Sequence, residues 1–320
     1  MTEIKEDSHI TRREFIGFSI NTAISLSFVG NLIHSKKGSP DWRFLYSPEN
    51  TKEETLMSIV EGKDIYKATR RAIVLAGGLE GIVKLGDSVL IKPNMAFDKA
   101  PEYGATTHPD VVRAVIDAVF DRGAEKVYLV DNTVENERAS YERSRIKDIG
   151  DKSGADVIYF NERDTEIVNI ENADVLKSVA IHRLCLECDA IINVPVAKTH
   201  NLSVLSLSIK NLMGLVGGER WRWHKNIAKY LADFYSYLLP SFTVLDASRV
   251  LLANGPSGGN LNDVRWQNTI LASRDGIACD AYATSFFGLS PTDIDHIREC
   301  ADRGLGEIDL SKVKILKEAI

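Results

Sequence analysis

Ser88-Val89-Leu90-Ile91-Lys92-Pro93-Asn94 is a short apolar run stopped by a proline. A run this brief reads as a buried strand, and the proline hands the chain to a loop. His108-Pro109-Asp110 then opens a helix to about Asp121, with Val111, Val112, Val115, Ile116 and Val119 at helical spacing and Gly123 as its stop. Lys126 to Val130 is a second strand, closing on Asp131-Asn132-Thr133. A helix near Ser144 to Ser153 leads to a third strand, Asp156 to Phe160. Strand–helix–strand–helix–strand is the pattern of a parallel sheet with helices on both faces. Such sheets gather their sites at the carboxyl ends of the strands. Lys92 and Asn94, then Asp131 and Asn132, stand at two of those ends.

Outward from this core the alternation continues less cleanly. Glu54 to Ala76 reads as a helix ended by Gly77-Gly78, after a polar linker from Ser35 to Asn50. Downstream, Asp189 to Pro195 is a strand, and Leu202 to Leu215 is open between helix and loop. Phe242 to Asp246 and Thr269 to Ser273 are strands, the second followed by a helix starting near Asp280. Asp293 to Asp302 is a helix ending at Gly304, and Val313 to Leu316 a last strand. The expected fold class is α/β, a mostly parallel sheet or sheets with helices on both faces. The α/β domain spans 41–320, with room for two lobes, 41–180 and 181–320, and a cleft between them.

The first 40 residues are set outside that fold. Thr11-Arg12-Arg13-Glu14-Phe15-Ile16-Gly17 leads an apolar run from Phe15 to Ile33. Paired arginines before such a run read as a twin-arginine export signal, and the alternative is a basic amphipathic helix. The translocation machinery for that signal is then a partner, and it moves folded clients, many loaded with a cofactor. No Ala-x-Ala follows the run. About 19 residues just suffice to span a bilayer, although Asn21, Thr22 and several serines weaken it as an anchor. Cleavage and retention both stay open, so the expected location is the periplasm or the outer side of the cytoplasmic membrane. Membrane contact is expected through this segment alone.

The chain has 320 residues, 44% hydrophobic and 26% charged, with a net charge of −6. No long basic run follows the signal, which argues against a nucleic-acid partner. Four cysteines are too few for a disulfide-built scaffold. Cys185-Leu186-Glu187-Cys188 reads as space-filling residues on a helix, a local disulfide or, least favoured, a metal or cluster site.

The densest polar cluster follows the strand at 189–195: Asn193, Lys198, Thr199, His200 and Asn201, then Ser206, Ser208, Lys210, Asn211 and Gly214. Two cations, an imidazole and amide donors suit a small anionic ligand or cofactor, with His200 as acid–base group or metal ligand. Taken singly, the lysines read rather as solvated and His200 as a helix cap, and it is the cluster as a whole that reads as functional.

Ile91-Lys92-Pro93-Asn94, Thr107-His108-Pro109, Asp189 to His200, Ser208-Ile209-Lys210-Asn211-Leu212-Met213-Gly214 and Asn254-Gly255-Pro256 through Gly258-Gly259 occur in this order. With Asp280 and the Gly304-Leu305-Gly306 ending, they resemble the family of the domain of unknown function 362 across about residues 55–320. The resemblance implies a fold and a motif set without an established reaction. Some relatives attach ferredoxin-type modules. This chain has no CxxCxxC run, so an iron–sulfur cluster is not expected.

His108 reads as a metal ligand or as the residue before a first-turn proline. Asp246 and Asp280, near predicted strand ends, suit a divalent metal together with His200, or a capping role for Asp280. Arg220-Trp221-Arg222-Trp223-His224 suits stacking on a planar ligand, a membrane surface or simple packing. The loop at Gly258 and Gly259 presents amides to an anion without matching a nucleotide fingerprint. The expected protein is an exported enzyme holding a metal ion or an anionic substrate or cofactor. Lys198 and His200 would be catalytic, and Lys92, Asn94, Lys210, Asn211, Gly258 and Gly259 would bind the anion. Its rivals are a non-catalytic periplasmic cofactor-binding or maturation factor and a redox protein using Cys185 and Cys188.

Overall fold

The computed structural model describes residues 55–320. Arg12, Arg13, the apolar run and the polar linker lie outside the described residues. In chain order the strands are β1 (Leu56–Glu61), β2 (Ser88–Pro93), β3 (Lys126–Asp131), β4 (Asp156–Tyr159), β5 (Thr165–Asn169) and β6 (Ser178–His182). They continue with β7 (Ala190–Val194), β8 (Val196–His200), β9 (Val204–Ser206), β10 (Phe242–Leu251), β11 (Val264–Ser273) and β12 (Lys314–Ala319).

The main sheet runs β12-β1-β11-β10-β7-β2-β3-β4, while β5 and β6 form a small antiparallel pair. Every neighbour pair along that path is parallel except those made by β11 with β1 and β10. β2 and β7 lie at its centre, and their apolar side chains are buried on both faces. That double burial is why they read as unbroken apolar runs rather than alternating ones. Each such buried Val, Leu or Ile contributes about 1.5–3 kcal/mol.

The helices Ile65–Leu75 and Pro109–Phe120 share a core with Val89, Ile91, Leu129, Ile192 and Phe242. Ser208–Asn211 packs on β7, and Gly276–Ala283 on β10 and β11. Among the described residues no helix is long and apolar enough to cross a membrane.

The structure corrects two stretches. Glu54 to Ala76 is not one helix: β1 fills Leu56–Glu61, and the helix begins at Ile65, capped by Asp64, which accepts a hydrogen bond from Lys67 N. Beyond Asp189, the chain makes β7, turns at Pro195, and makes β8, which pairs with the far half of β10. Leu202–Leu215 then holds β9, a helical turn at Ser208–Asn211 and a 3₁₀ turn at Leu212–Leu215. The boundary at residue 180 falls within one continuous sheet, since β2 and β7, from either side of it, are hydrogen-bonded neighbours.

Candidate anion-binding site

β2 and β7 end side by side, with Lys92 in register with Asn193 and Pro93 with Val194. Pro93 is the last paired residue of β2 and Pro195 follows β7, so the ladder stops there and the chain peels away, leaving polar side chains near the strand ends. Thr107 fastens the first loop: its hydroxyl accepts from Asn94 N (2.9 Å) and donates to Val194 O (2.7 Å).

Three amide side chains then form a buried chain. Asn94 Nδ2 donates to Asn211 Oδ1 (3.0 Å), and Asn211 Nδ2 donates to Asn193 Oδ1 (2.8 Å) and Lys92 O (3.0 Å). Asn193 Nδ2 in turn donates to Ser208 O (2.9 Å). Asn94 and Asn211, expected to face a ligand, therefore join the β2 and β7 ends to the Ser208–Asn211 turn. Their polar atoms are taken up inside the protein, and this fixes the turn that carries Lys210.

Three lysines and an arginine converge here. Lys92 is fully buried and pairs with Asp131 at 2.9 Å. Burial pushes its proton affinity down, while Asp131 pulls it up. Gly214 makes this pair possible, because a Cβ there would lie 1.8 Å from Asp131 Oδ1 and 2.7 Å from Lys92 Nζ. Lys198 Nζ donates to Asn94 Oδ1 (3.2 Å) and to Ala105 O, and lies 4.6 Å from the Phe97 ring centroid. Lys210 is buried, and among the described residues the one hydrogen bond of its ammonium runs to the thioether of Met213 (3.2 Å). Arg220 donates to Met213 O (3.0 Å) and Thr133 O (2.8 Å).

Burial lowers both Lys198 and Lys210 to about 7, reinforced for Lys198 by Lys210 and Lys92 and for Lys210 by Arg220. Asp131 is the buried carboxylate acting on this group, and exposed Glu162 also acts on Arg220. Buried charge without a partner is costly, so the cluster is suited to a negative ligand.

The histidines take other places than expected. His200 Nδ1 accepts from Leu202 N (3.1 Å) and Ser203 N (3.3 Å). The ring proton then sits on Nε2, making His200 a neutral donor rather than a base or metal ligand. Burial, Lys210 and His224 together hold its proton affinity far below the usual histidine range. His224 stacks on it with centroids 5.8 Å apart. Sequence reasoning missed His296. It is fully buried, its Nε2 has no hydrogen-bond partner among the described residues, and Lys210 depresses its proton affinity after burial does.

The proposed metal trio is not assembled. His108 caps the Pro109–Phe120 helix through Nδ1, and its amide donates to Asp246 (2.8 Å). Asp246 also receives Ser248 and the buried Arg249 (2.8 Å). Asp280 accepts from Ser208 N (2.7 Å) and Ile209 N (3.0 Å), so it caps the turn bearing Lys210 from within the Gly276–Ala283 helix. Among the described residues no three His, Cys, Asp or Glu side chains form a group that could hold a metal. His108 instead borders a cleft of about 230 Å³ with Glu102, Arg145, Arg249 and Trp266, and none of the three site lysines lines it.

Gly258 donates its amide to Asn254 O, and a Cβ there would meet Leu251. Its loop is folded onto β10, with Gly255 packed against Thr199. Trp223 packs between Tyr230 and Phe234, Trp221 is exposed under Arg222, and Arg220 turns inward to the site. Cys185 and Cys188 are buried free thiols, both pushed up by burial.

A family described as "Domain of unknown function (DUF362)" matches residues 89–285. The thylakoid-associated protein sll1697 of Synechocystis sp. is 25% identical over 249 residues, 73% of each chain. A Thermotoga maritima crystal structure aligns with a TM-score of 0.45 at 13% identity, covering 71% of this chain and 60% of that one. The lactate racemase apoprotein of Thermoanaerobacterium thermosaccharolyticum aligns with a TM-score of 0.42 at 11% identity, covering 58% of this chain and 49% of that one.

Proposed function

The chain belongs to the Domain of unknown function (DUF362) family, and from that premise we propose an exported enzyme that binds a small anionic substrate or cofactor. Lys198, Lys210 and Arg220 hold the anion at the ends of β2, β7 and β8. The observation that carries this reading is Lys210, whose buried ammonium, among the described residues, hydrogen-bonds only a thioether. A phosphate, sulfate or carboxylate supplies the missing acceptor and offsets the excess positive charge. Two amines poised near neutrality favour turnover over storage, because a group that titrates at working pH can move protons. Arg12 and Arg13 supply the export address, and the apolar run behind them is the route to a membrane, in keeping with the thylakoid association of the Synechocystis relative.

The test is a sulfate titration of the full chain at pH 6.5 and constant ionic strength, read by isothermal calorimetry and thermal unfolding. Saturable stabilisation at millimolar sulfate or below is expected. A response no larger than that to chloride would refute the anion site.

A further inference from the structure

We propose that Lys210 is a nucleophilic amine that forms an imine with a small carbonyl compound bearing an adjacent anionic group. The inference rests on the anion-binding reading and goes on to name the substrate's chemistry. The three lysines of the site differ in how firmly each is held. Lys92 is locked to Asp131 and donates to Pro93 O. Lys198 donates to Asn94 Oδ1 and Ala105 O and lies over Phe97. Both are held in place by oxygen acceptors. Among the described residues the Lys210 ammonium has only Met213 Sδ at 3.2 Å, and a thioether is a weak acceptor. Moving its amine onto a carbon atom therefore breaks little.

The charged and titratable groups acting around Lys210 suit that role. Arg220 disfavours a proton on Lys210 after burial does, and Arg220 and Lys198 would receive the substrate's anionic group. His200, His224 and His296 all register the charge of Lys210, and burial keeps all three rings neutral. A lysine desolvated beside other cations is a recognised way to expose a free amine at neutral pH.

The neutral amine adds to the carbonyl carbon, forming a C–N bond as the carbonyl electron pair moves to oxygen. One N–H proton transfers to that oxygen. The resulting hydroxyl then leaves with the second proton as water, and a C=N bond remains. One water is released per imine, with no oxidant or reductant.

The full chain is incubated at pH 7 with pyruvate or with pyridoxal 5′-phosphate, reduced with borohydride, digested and mapped by mass spectrometry. The expected result is one adduct per chain, on Lys210, suppressed by sulfate and absent from a folded Lys210→Arg variant. Exposed lysines such as Lys63 and Lys225 are the reference sites for non-specific labelling. Labelling by pyruvate marks a 2-oxo acid substrate, labelling by pyridoxal 5′-phosphate marks a phosphorylated aldehyde, and either supports the proposal. Adducts confined to exposed lysines overturn it. If sulfate still stabilises that same preparation, the imine alone falls. If sulfate does nothing, the anion site falls with it.

Discussion

Lys210 sets the proton balance of the site, and its effect on stability has a definite sign. Its folded-state affinity lies near 7 against an ordinary 10.5, as does that of Lys198. Between those values the unfolded chain binds more protons than the folded one, so stability rises as pH climbs from about 7 to 10.5. Below 7 both forms are protonated, and the cost of burying the two charges is fully present. Lys210→Met removes one such charge while keeping a flexible side chain of similar length. The variant is expected to unfold at a higher temperature than the parent at pH 6.5 and to show a shallower rise to pH 9.5. Its sulfate affinity should fall at least about tenfold, since a hydrogen bond to a charged group contributes about 1.5–3 kcal/mol. Higher stability with lost binding is the signature of a functional residue. A drop in both would mark Lys210 as structural. His296 was not legible in the sequence: it sits in an ordinary helix, Asp295–Asp302, and only packing lets the charge of Lys210 act on it.

At the scale of elements, the Leu212–Leu215 turn must pass over the Lys92–Asp131 pair closely enough that only hydrogen fits at Gly214. Its carbonyl accepts from Asn132 N (2.7 Å), which ties the turn to the end of β3. Gly214→Ala would force a methyl to 1.8 Å from Asp131 Oδ1. Either the turn lifts or the buried pair parts, and breaking such a pair costs about 3–5 kcal/mol. Thermal unfolding should show a fall of several degrees, at about 2–4 °C per kcal/mol, together with loss of the sulfate response. A variant with parental melting temperature would show that the turn is slack. The glycine's presence in the motif was readable, but its reason was not, because Asp131 lies in another element 83 positions earlier. β2, β3 and the Pro109–Phe120 helix were legible for the opposite reason, since apolar spacing, a proline and a cap are all local. β1 was not. Its few apolar residues run into the next helix, and it becomes a strand through β11 and β12, more than 200 residues away.

For the whole molecule, the site exists only once the chain is folded. Lys92, Asp131, Lys198, Lys210, Arg220 and His296 come from separate elements spread from β2 to the Asp295–Asp302 helix. A carrier that unfolds its cargo would dismantle this arrangement and release any ligand held in it, whereas a folded-protein route keeps both. The paired arginines at 12 and 13 propose that second route. Replacing them together, Arg12→Lys with Arg13→Lys, keeps the charge but removes the two guanidinium groups, which are not interchangeable with amines where geometry is read. The doubly substituted chain should stay in the cytoplasm, as followed by fractionation and immunoblotting, while the purified protein keeps its sulfate-dependent rise in melting temperature. Unaltered export would show that the address lies elsewhere in the chain. Loss of the sulfate response as well would tie the N-terminal segment to the site itself. Separate outcomes for transport and binding are expected, because the site is assembled entirely from residues beyond 90.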